Sequence, residues 1–222
     1  MDIHKPKAAH SIREFLIEIG TIICGILIAL GLEQTIEFVH WRTEVAETRE
    51  ALREEIATNA AVAVIRAEEG RCMPTRLDEM LKWANGGPAY DLEAGRNAAF
   101  GGPHYTVWDV AKSGQAMSRM PLNERLAYAD FYGIVLTQQT NVLIERNLVV
   151  RLVRNLVHAS LTREEARRFA EDIEEARTWF RVGRNLNLGM IARAKKLGID
   201  PQPLEPGARA RLARFCATTK PQ

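Results

Sequence analysis

Between Glu18 and Glu33 the chain runs fourteen residues without a charge, Ile-Gly-Thr-Ile-Ile-Cys-Gly-Ile-Leu-Ile-Ala-Leu-Gly-Leu. With Phe15, Leu16 and Ile17 ahead of it, the stretch reaches about 18 residues, or roughly 27 Å of helix. A bilayer core is about 30 Å thick. The stretch contains one acid, Glu18, near its start, where a carboxyl can be protonated, reach the headgroups or pair with another helix. Two other readings compete: a core helix of a soluble bundle, and a secretory signal cleaved near Ala29-Leu30-Gly31 after the basic Lys5, Lys7 and Arg13. Ile and Leu occur almost all the way round the segment, which one small core cannot hide. The helical pattern also continues through Leu32 into Glu33, Ile36, Glu37, His40 and Trp41 without a turn residue. A membrane anchor that runs on as a helix fits both facts.

Sidedness follows Lys and Arg. The first thirteen residues hold three of them, whereas 33–50 holds only Arg42 and Arg49. This bias places the N-terminus in the cytoplasm and, in a bacterium, the bulk of the chain in the periplasm beyond a single-pass inner-membrane span. His40-Trp41-Arg42 then falls at the outer interface, where Trp is favoured. The expected organisation is a cytoplasmic tail over 1–14, a transmembrane helix over 15–32, a stalk helix over 33–70 and a helical bundle domain over 71–222, with 33–70 packing onto it.

Composition narrows the rest. The chain has 222 residues, 46% of them apolar, with 30 Lys plus Arg against 28 Asp plus Glu. That excludes a disordered chain and a polybasic arm, so no nucleic-acid partner is expected. Three cysteines are too few for a disulfide scaffold.

At 100° per residue, Glu18, Thr21, Gly25, Ala29 and Glu33 share one stripe of about 120°. Its small-xxx-small series lets helix backbones approach closely in lipid. The stripe is a candidate contact with another copy or another membrane protein. Gly20, Cys24 and Gly31 make a second small face, and small residues are common in membrane helices in any case.

Beyond the anchor the periods are helical. Trp41, Val45, Thr48, Leu52, Ile56, Asn59 and Ala63 continue the helix toward Glu69, with Gly70 and Pro74 expected to end it and a short helix over 75–84 to follow. Gly-Gly-Pro turns at 86–88 and 101–103 bound a long loop. Tyr90, His104 and Tyr105 are its candidate surface site, with loop-anchoring aromatics as the plainer reading. Thr106-Val-Trp-Asp109 and Thr162-Arg-Glu-Glu165 have the form of capping boxes. From Pro121 to about His158, Leu122, Leu126, Ala129, Gly133, Leu136, Thr140, Leu143, Asn147, Val150 and Val157 recur at threes and fours. That predicts a bundle seam in which Thr140 and Asn147 set register or, as the less favoured reading, line a polar pocket. A further helix carries Ala166, Phe169, Ile173, Ala176, Phe180, Gly183, Leu186 and Met190 on one face and ends near Gly198; a last one over 206–217 brings Leu212, Phe215 and Cys216 back. No alternating strand pattern occurs. The expected fold is all-α, an N-terminal transmembrane helix continuing into a long stalk helix, with an antiparallel helical bundle.

Catalytic chemistry is not recognisable. Glu37-Phe-Val-His40 is one Glu-x-x-His unit where a di-iron bundle needs two. His4, His10, His104 and His158 lack ligand spacing, and there is no nucleophile elbow, phosphate loop or dinucleotide fingerprint. No catalytic residue, metal site or cofactor is expected. Cys72 and Cys216 are a candidate disulfide, because a periplasmic domain permits the bond. Arg181, Arg184, Arg193, Lys195 and Lys196 lie in a stretch without acids, followed by Arg209, Arg211 and Arg214. They read as an anion-binding surface or, more plainly, a solvated face.

The segment Phe15-Leu-Ile-Glu-Ile-Gly-Thr-Ile-Ile-Cys-Gly-Ile-Leu-Ile-Ala-Leu resembles the anchor of a family of uncharacterised bacterial single-pass membrane proteins. There a Glu-Ile pair precedes a Gly-Ile-x-Ile-Ala-Leu run. Thr106-Val-Trp-Asp-Val-Ala-Lys-Ser113-Gly114, with Arg125, Tyr128 and Tyr132, is similar to that family's Trp/Tyr…Ser-Gly…Tyr pattern. The family follows its anchor with Gln, Asn and Trp, where this chain has Gly31-Leu-Glu-Gln34 and Trp41. The resemblance implies a span and an outer helical domain, and no chemistry. The expected function is a non-enzymatic, membrane-anchored interaction or scaffolding module whose partners are the lipid bilayer and copies of itself or another membrane protein. A periplasmic ligand sensor, with a small molecule between bundle helices, is the alternative.

Overall fold

The computed structural model describes residues 12–92, 101–158 and 160–217. Lys5, Lys7, His4 and His10 lie outside them. The described residues contain helices and no strand. They are α1 (Ile12–Ala84), α2 (Thr106–Ala111), α3 (Gln115–Arg119), α4 (Leu122–Leu156), α5 (Arg163–Lys196) and α6 (Pro206–Cys216). The chain divides into two compact units, Met1–Glu47 and Thr48–Gln222.

In the first unit, α1 contains the one stretch among the described residues that is long and apolar enough to cross a membrane. From Ile12 to His40 every residue except Gly20 is exposed, Ile22, Ile26 and Ile28 among them. The segment is therefore not the core helix of a soluble bundle. Its threonines satisfy themselves locally, Thr21 Oγ1 donating to the Ile17 carbonyl at 2.9 Å and Thr35 Oγ1 to Gly31 at 2.7 Å.

The second unit is a helical bundle of the later part of α1 with α4 and α5, closed at one end by α6; α1 and α4 run in the same direction, Arg49 meeting Glu124, Glu55 meeting Tyr132 and Arg66 meeting Glu145, and α5 runs antiparallel to both. Contrary to the expected stop at Gly70 and Pro74, α1 continues to Ala84 as one helix. The reason lies in its seam. Leu52, Ile56, Asn59, Ala63, Arg66, Met73, Leu77 and Met80 are all buried and keep a three-four spacing across the predicted break, with Gly70 in step. Pro74 lies on the exposed side, so the bundle's packing outweighs the backbone hydrogen bond lost at that turn.

The α4 face expected to form the bundle seam points outward. Leu122, Leu126, Leu136, Leu143, Val150 and Val157 are each at least 46% exposed, and Ala129, Gly133, Thr140 and Asn147 between them are exposed as well. The buried face is Tyr128, Phe131, Tyr132, Val135, Gln138, Asn141, Val142, Glu145, Leu148, Leu152 and Leu156. Aromatic rings bury more area than Leu or Val, and the polar members of this face find partners across the bundle. Thr140 and Asn147 thus set no register within the chain.

Helix α5 largely follows the expected face, except that Ala166 and Leu186 are only half-buried and Asn187 is buried beside Leu186. Thr162 and Glu165 form a reciprocal capping box, Phe169, Ile173, Ala176, Phe180 and Met190 are buried, and Gly198 follows the helix with φ +66°. Its N-terminal half, Phe169 to Phe180, joins Leu77, Leu148, Leu152 and Phe215 in an apolar cluster.

Candidate functional site

Three constellations occupy the bundle. The first fixes α2. Thr106 and Asp109 do not form the expected capping box: the N-cap position is Tyr105 and makes no side-chain cap, and Asp109 pairs with Lys112 at 2.6 Å. A carboxylate from α1 replaces it. Glu55 accepts the backbone N–H of Val107 at 2.9 Å, that of Trp108 at 3.2 Å, and the Tyr132 hydroxyl at 2.7 Å. Trp108 stacks on Tyr132 with centroids 4.8 Å apart and planes within 6°. Burial and then the bond to Glu55 push the Tyr132 phenol far up, and its hydroxyl donates to that carboxylate. Ser113 and Gly114 are exposed beyond α2.

This arrangement also separates the candidate loop residues. The His104 backbone is held by Asn59, whose amide donates to the His104 carbonyl at 2.6 Å and whose Oδ1 accepts the His104 N–H at 2.7 Å. Tyr105 is exposed alongside. Tyr90 packs against the Leu77, Phe169 and Phe215 cluster instead, where burial first of all pushes its phenol up to about 12. Tyr90, His104 and Tyr105 therefore serve two different parts of the bundle. Residues 93–100 of that loop are outside the described ones.

The second constellation is a charged cluster inside the bundle. Arg66 of α1 donates to Glu145 of α4 and lies 3.8 Å from Glu69. Asn141 Nδ2 donates to the other Glu145 oxygen at 2.6 Å, and Asn187 Nδ2 to the Gly183 carbonyl at 2.8 Å. Glu145 is 1% exposed. Burial raises its pKa, and Arg66 and Asn141 work against that rise. Gly183 of α5 makes the space: a Cβ there would collide with the Glu145 carboxylate and stand 2.6 Å from Asn141 Nδ2. Unpaired, either charge would cost several kcal/mol in this interior. Gln138, fully buried one turn before Asn141, has neither amide atom bonded to a described residue.

The third lies beside the second, between α1 and α5. A cleft of about 440 Å³ has Met73, Leu77 and Phe180 as its floor and Arg71, Arg177, Arg181 and Arg184 around it, with no acidic residue lining it. Arg71 is paired with Glu68 at 2.7 Å, and Arg177 with Asp78 at 2.5 Å and Glu174 at 2.9 Å. Arg181 and Arg184 have no hydrogen bond or ion pair with a described residue, and the Arg184 Nε is buried. The Arg184 stem rests on Gly70, where a Cβ would come within 2.8 Å of its own Cβ.

Cys72 and Cys216 are joined in a disulfide with Cα atoms 5.3 Å apart; Cys24 is free and exposed in the apolar part of α1. Glu18, Thr21, Gly25, Ala29 and Glu33 are all exposed, and nothing lies within 4 Å of a Cβ built at Gly25. Glu37 accepts the Trp41 indole N–H at 3.0 Å, and His40 stands 3.7 Å from Glu44. No group of three His, Cys, Asp or Glu suited to a metal occurs among the described residues. The charged cluster and the arginine cleft were missed as sites by sequence reasoning; the only signal was the acid-free stretch around Arg181 and Arg184.

No protein-family model matches the chain, and neither the curated proteins nor the solved structures include a match.

Proposed function

We propose that the protein is a membrane-anchored helical interaction module, non-enzymatic, that associates with further copies of itself through the outward face of α4. One observation carries this reading. The exposed positions 122, 126, 129, 133, 136, 140, 143, 147, 150 and 157 follow alternating steps of four and three, broken only by Arg154 in the same register. The face spans a helix of 35 residues, about 52 Å long. A period of 3.5 residues is that of a coiled-coil seam. An apolar stripe of this length on a solvated helix is characteristic of an interaction surface. A second copy fits it because the seam complements itself, and Thr140 and Asn147, which find no register role within one chain, set register between two.

Placement in a bacterial inner membrane, with a cytoplasmic N-terminus and a periplasmic bundle, belongs to the same proposal. Support comes from Lys5, Lys7 and Arg13 ahead of the span and from the Cys72–Cys216 bond, which suits an oxidising compartment. The anchor stripe around Gly25 is a second contact within such an assembly.

The test is the mass of the full-length protein in mild detergent, by light scattering, for the wild type and for Leu136→Asp with Leu143→Asp. Both positions are exposed, so the fold persists. The expected result is an oligomer that falls to the monomer in the double variant; a wild-type monomer, or an oligomer indifferent to the change, refutes the proposal.

A further inference from the structure

We infer that the cleft between α1 and α5 is a binding site for a small organic anion, a phosphate or carboxylate carried on a compact apolar body. The inference is independent of self-association, since the cleft and the outward face of α4 share no residue.

The charge argument comes first. Four guanidinium groups surround the cleft and no carboxylate lines it. Arg71 and Arg177 are already neutralised by neighbouring acids, whereas Arg181 and Arg184 are not. A half-buried Arg without a counter-charge is costly, and its planar fork is matched by phosphate or carboxylate oxygens. An ordinary solvated face places such an Arg in water; here the Arg184 Nε has no water-accessible surface and no partner.

Second, the local sequence is arranged to hold Arg184 where it is. Gly70 lies inside a long helix, where glycine is less favourable than alanine. Its missing Cβ is the space occupied by the Arg184 stem. Pro74, one turn on, lines the same cleft. On the inner side Arg184 borders the cluster of Arg66, Glu69 and Glu145, so its stem is fixed between a packed interior and the opening.

Third, the floor of Met73, Leu77 and Phe180 is apolar, and a bare inorganic anion would leave it unused. The volume, about 440 Å³, is within the range of small-molecule sites and suits one compact ligand rather than a lipid with two acyl chains.

The experiment uses the full-length protein in nanodiscs of zwitterionic lipid, titrated with naphthyl phosphate and followed by the ligand's fluorescence. Naphthol and inorganic phosphate are the separated halves of the probe. The expected result is saturable binding of naphthyl phosphate, much weaker binding of either half, and about tenfold or greater weakening in Arg184→Gln, in Arg181→Gln and in Gly70→Ala. Arg209→Gln on α6 leaves the affinity unchanged. Arg181 is exposed, so its variant folds and keeps the test valid if Arg184→Gln or Gly70→Ala disturbs the bundle. Absence of saturable binding, equal binding of naphthol, or indifference to Arg181→Gln overturns the inference. So does competition by nanodiscs of anionic lipid, which would make the arginines a headgroup contact.

Discussion

Reducing the Cys72–Cys216 bond should destabilise the bundle without undocking α6. The two cysteines are 144 residues apart, and closing a loop of that length restricts the unfolded chain by about 5 kcal/mol in the chain-entropy account. Measured bridges more often contribute roughly 2–4 kcal/mol. Those figures describe the unfolded state; in the folded state α6 has other holds. Phe215 is 2% exposed in the apolar cluster. Arg76 donates to the carbonyls of Phe215 at 2.7 Å, Arg214 at 3.2 Å and Ala217 at 2.5 Å. Its ion pair with Glu79 at 2.7 Å keeps the guanidinium in place. The expected loss is therefore global, about 2–5 kcal/mol, or a fall in Tm of roughly 5–20 °C for a unit of this size. The assay is urea unfolding of the full-length protein in mild detergent, oxidised and reduced, followed by circular dichroism. Hydrogen exchange over 206–216 is measured in parallel. A change under about 1 kcal/mol, or early loss of protection confined to α6 with the global midpoint unchanged, would refute this reasoning.

Three further outcomes follow from named contacts. Gly183→Ala drives a methyl into the Glu145 carboxylate and Asn141 amide and should destabilise the bundle by about 2–4 kcal/mol; a thermal melt within 1 °C of wild type contradicts that. Glu124 is tied to Arg49 by two hydrogen bonds of 2.7 and 2.8 Å, and Arg49 holds its pKa below the usual value. A carboxyl lowered in the folded state stabilises above the unfolded value of about 4.3 and loses that stabilisation as pH falls through the folded value. Glu124→Gln should accordingly remove about 1 kcal/mol at pH 6 and progressively less as the pH falls below the unfolded value. Glu145, with the opposite shift, cancels in that comparison, and a loss that stays constant as the pH falls would count against the pairing. Gly25→Ile fills an open position on the anchor stripe and should weaken association in detergent; an unaltered mass removes the stripe as a contact.

Local pattern alone was enough for the long apolar N-terminal helix, for most of the helices, for the Thr162–Glu165 cap and for most of the buried side of α5. Each depends on residues within one or two turns of one another, where spacing and hydrogen-bond chemistry are local. The same logic failed where two local answers were equally good. Helix α4 carries a Leu/Val stripe and an aromatic stripe, both at helical spacing. The second includes Gln138, Asn141 and Glu145, polar side chains that local rules do not assign to a core. Burying it requires Arg66 from 79 residues earlier in the chain and the empty volume at Gly183 on a third helix. Likewise Gly70 and Pro74 are helix-ending residues by local rules, yet a buried seam on both sides carries α1 through them. The sequence by itself determined that this chain is helical and where it is apolar enough to meet lipid. Which face of α4 turns inward, which carboxylate caps α2 and which arginines surround a cleft were decided by tertiary structure alone, because buried charge and shape are satisfied only by partners distant along the chain.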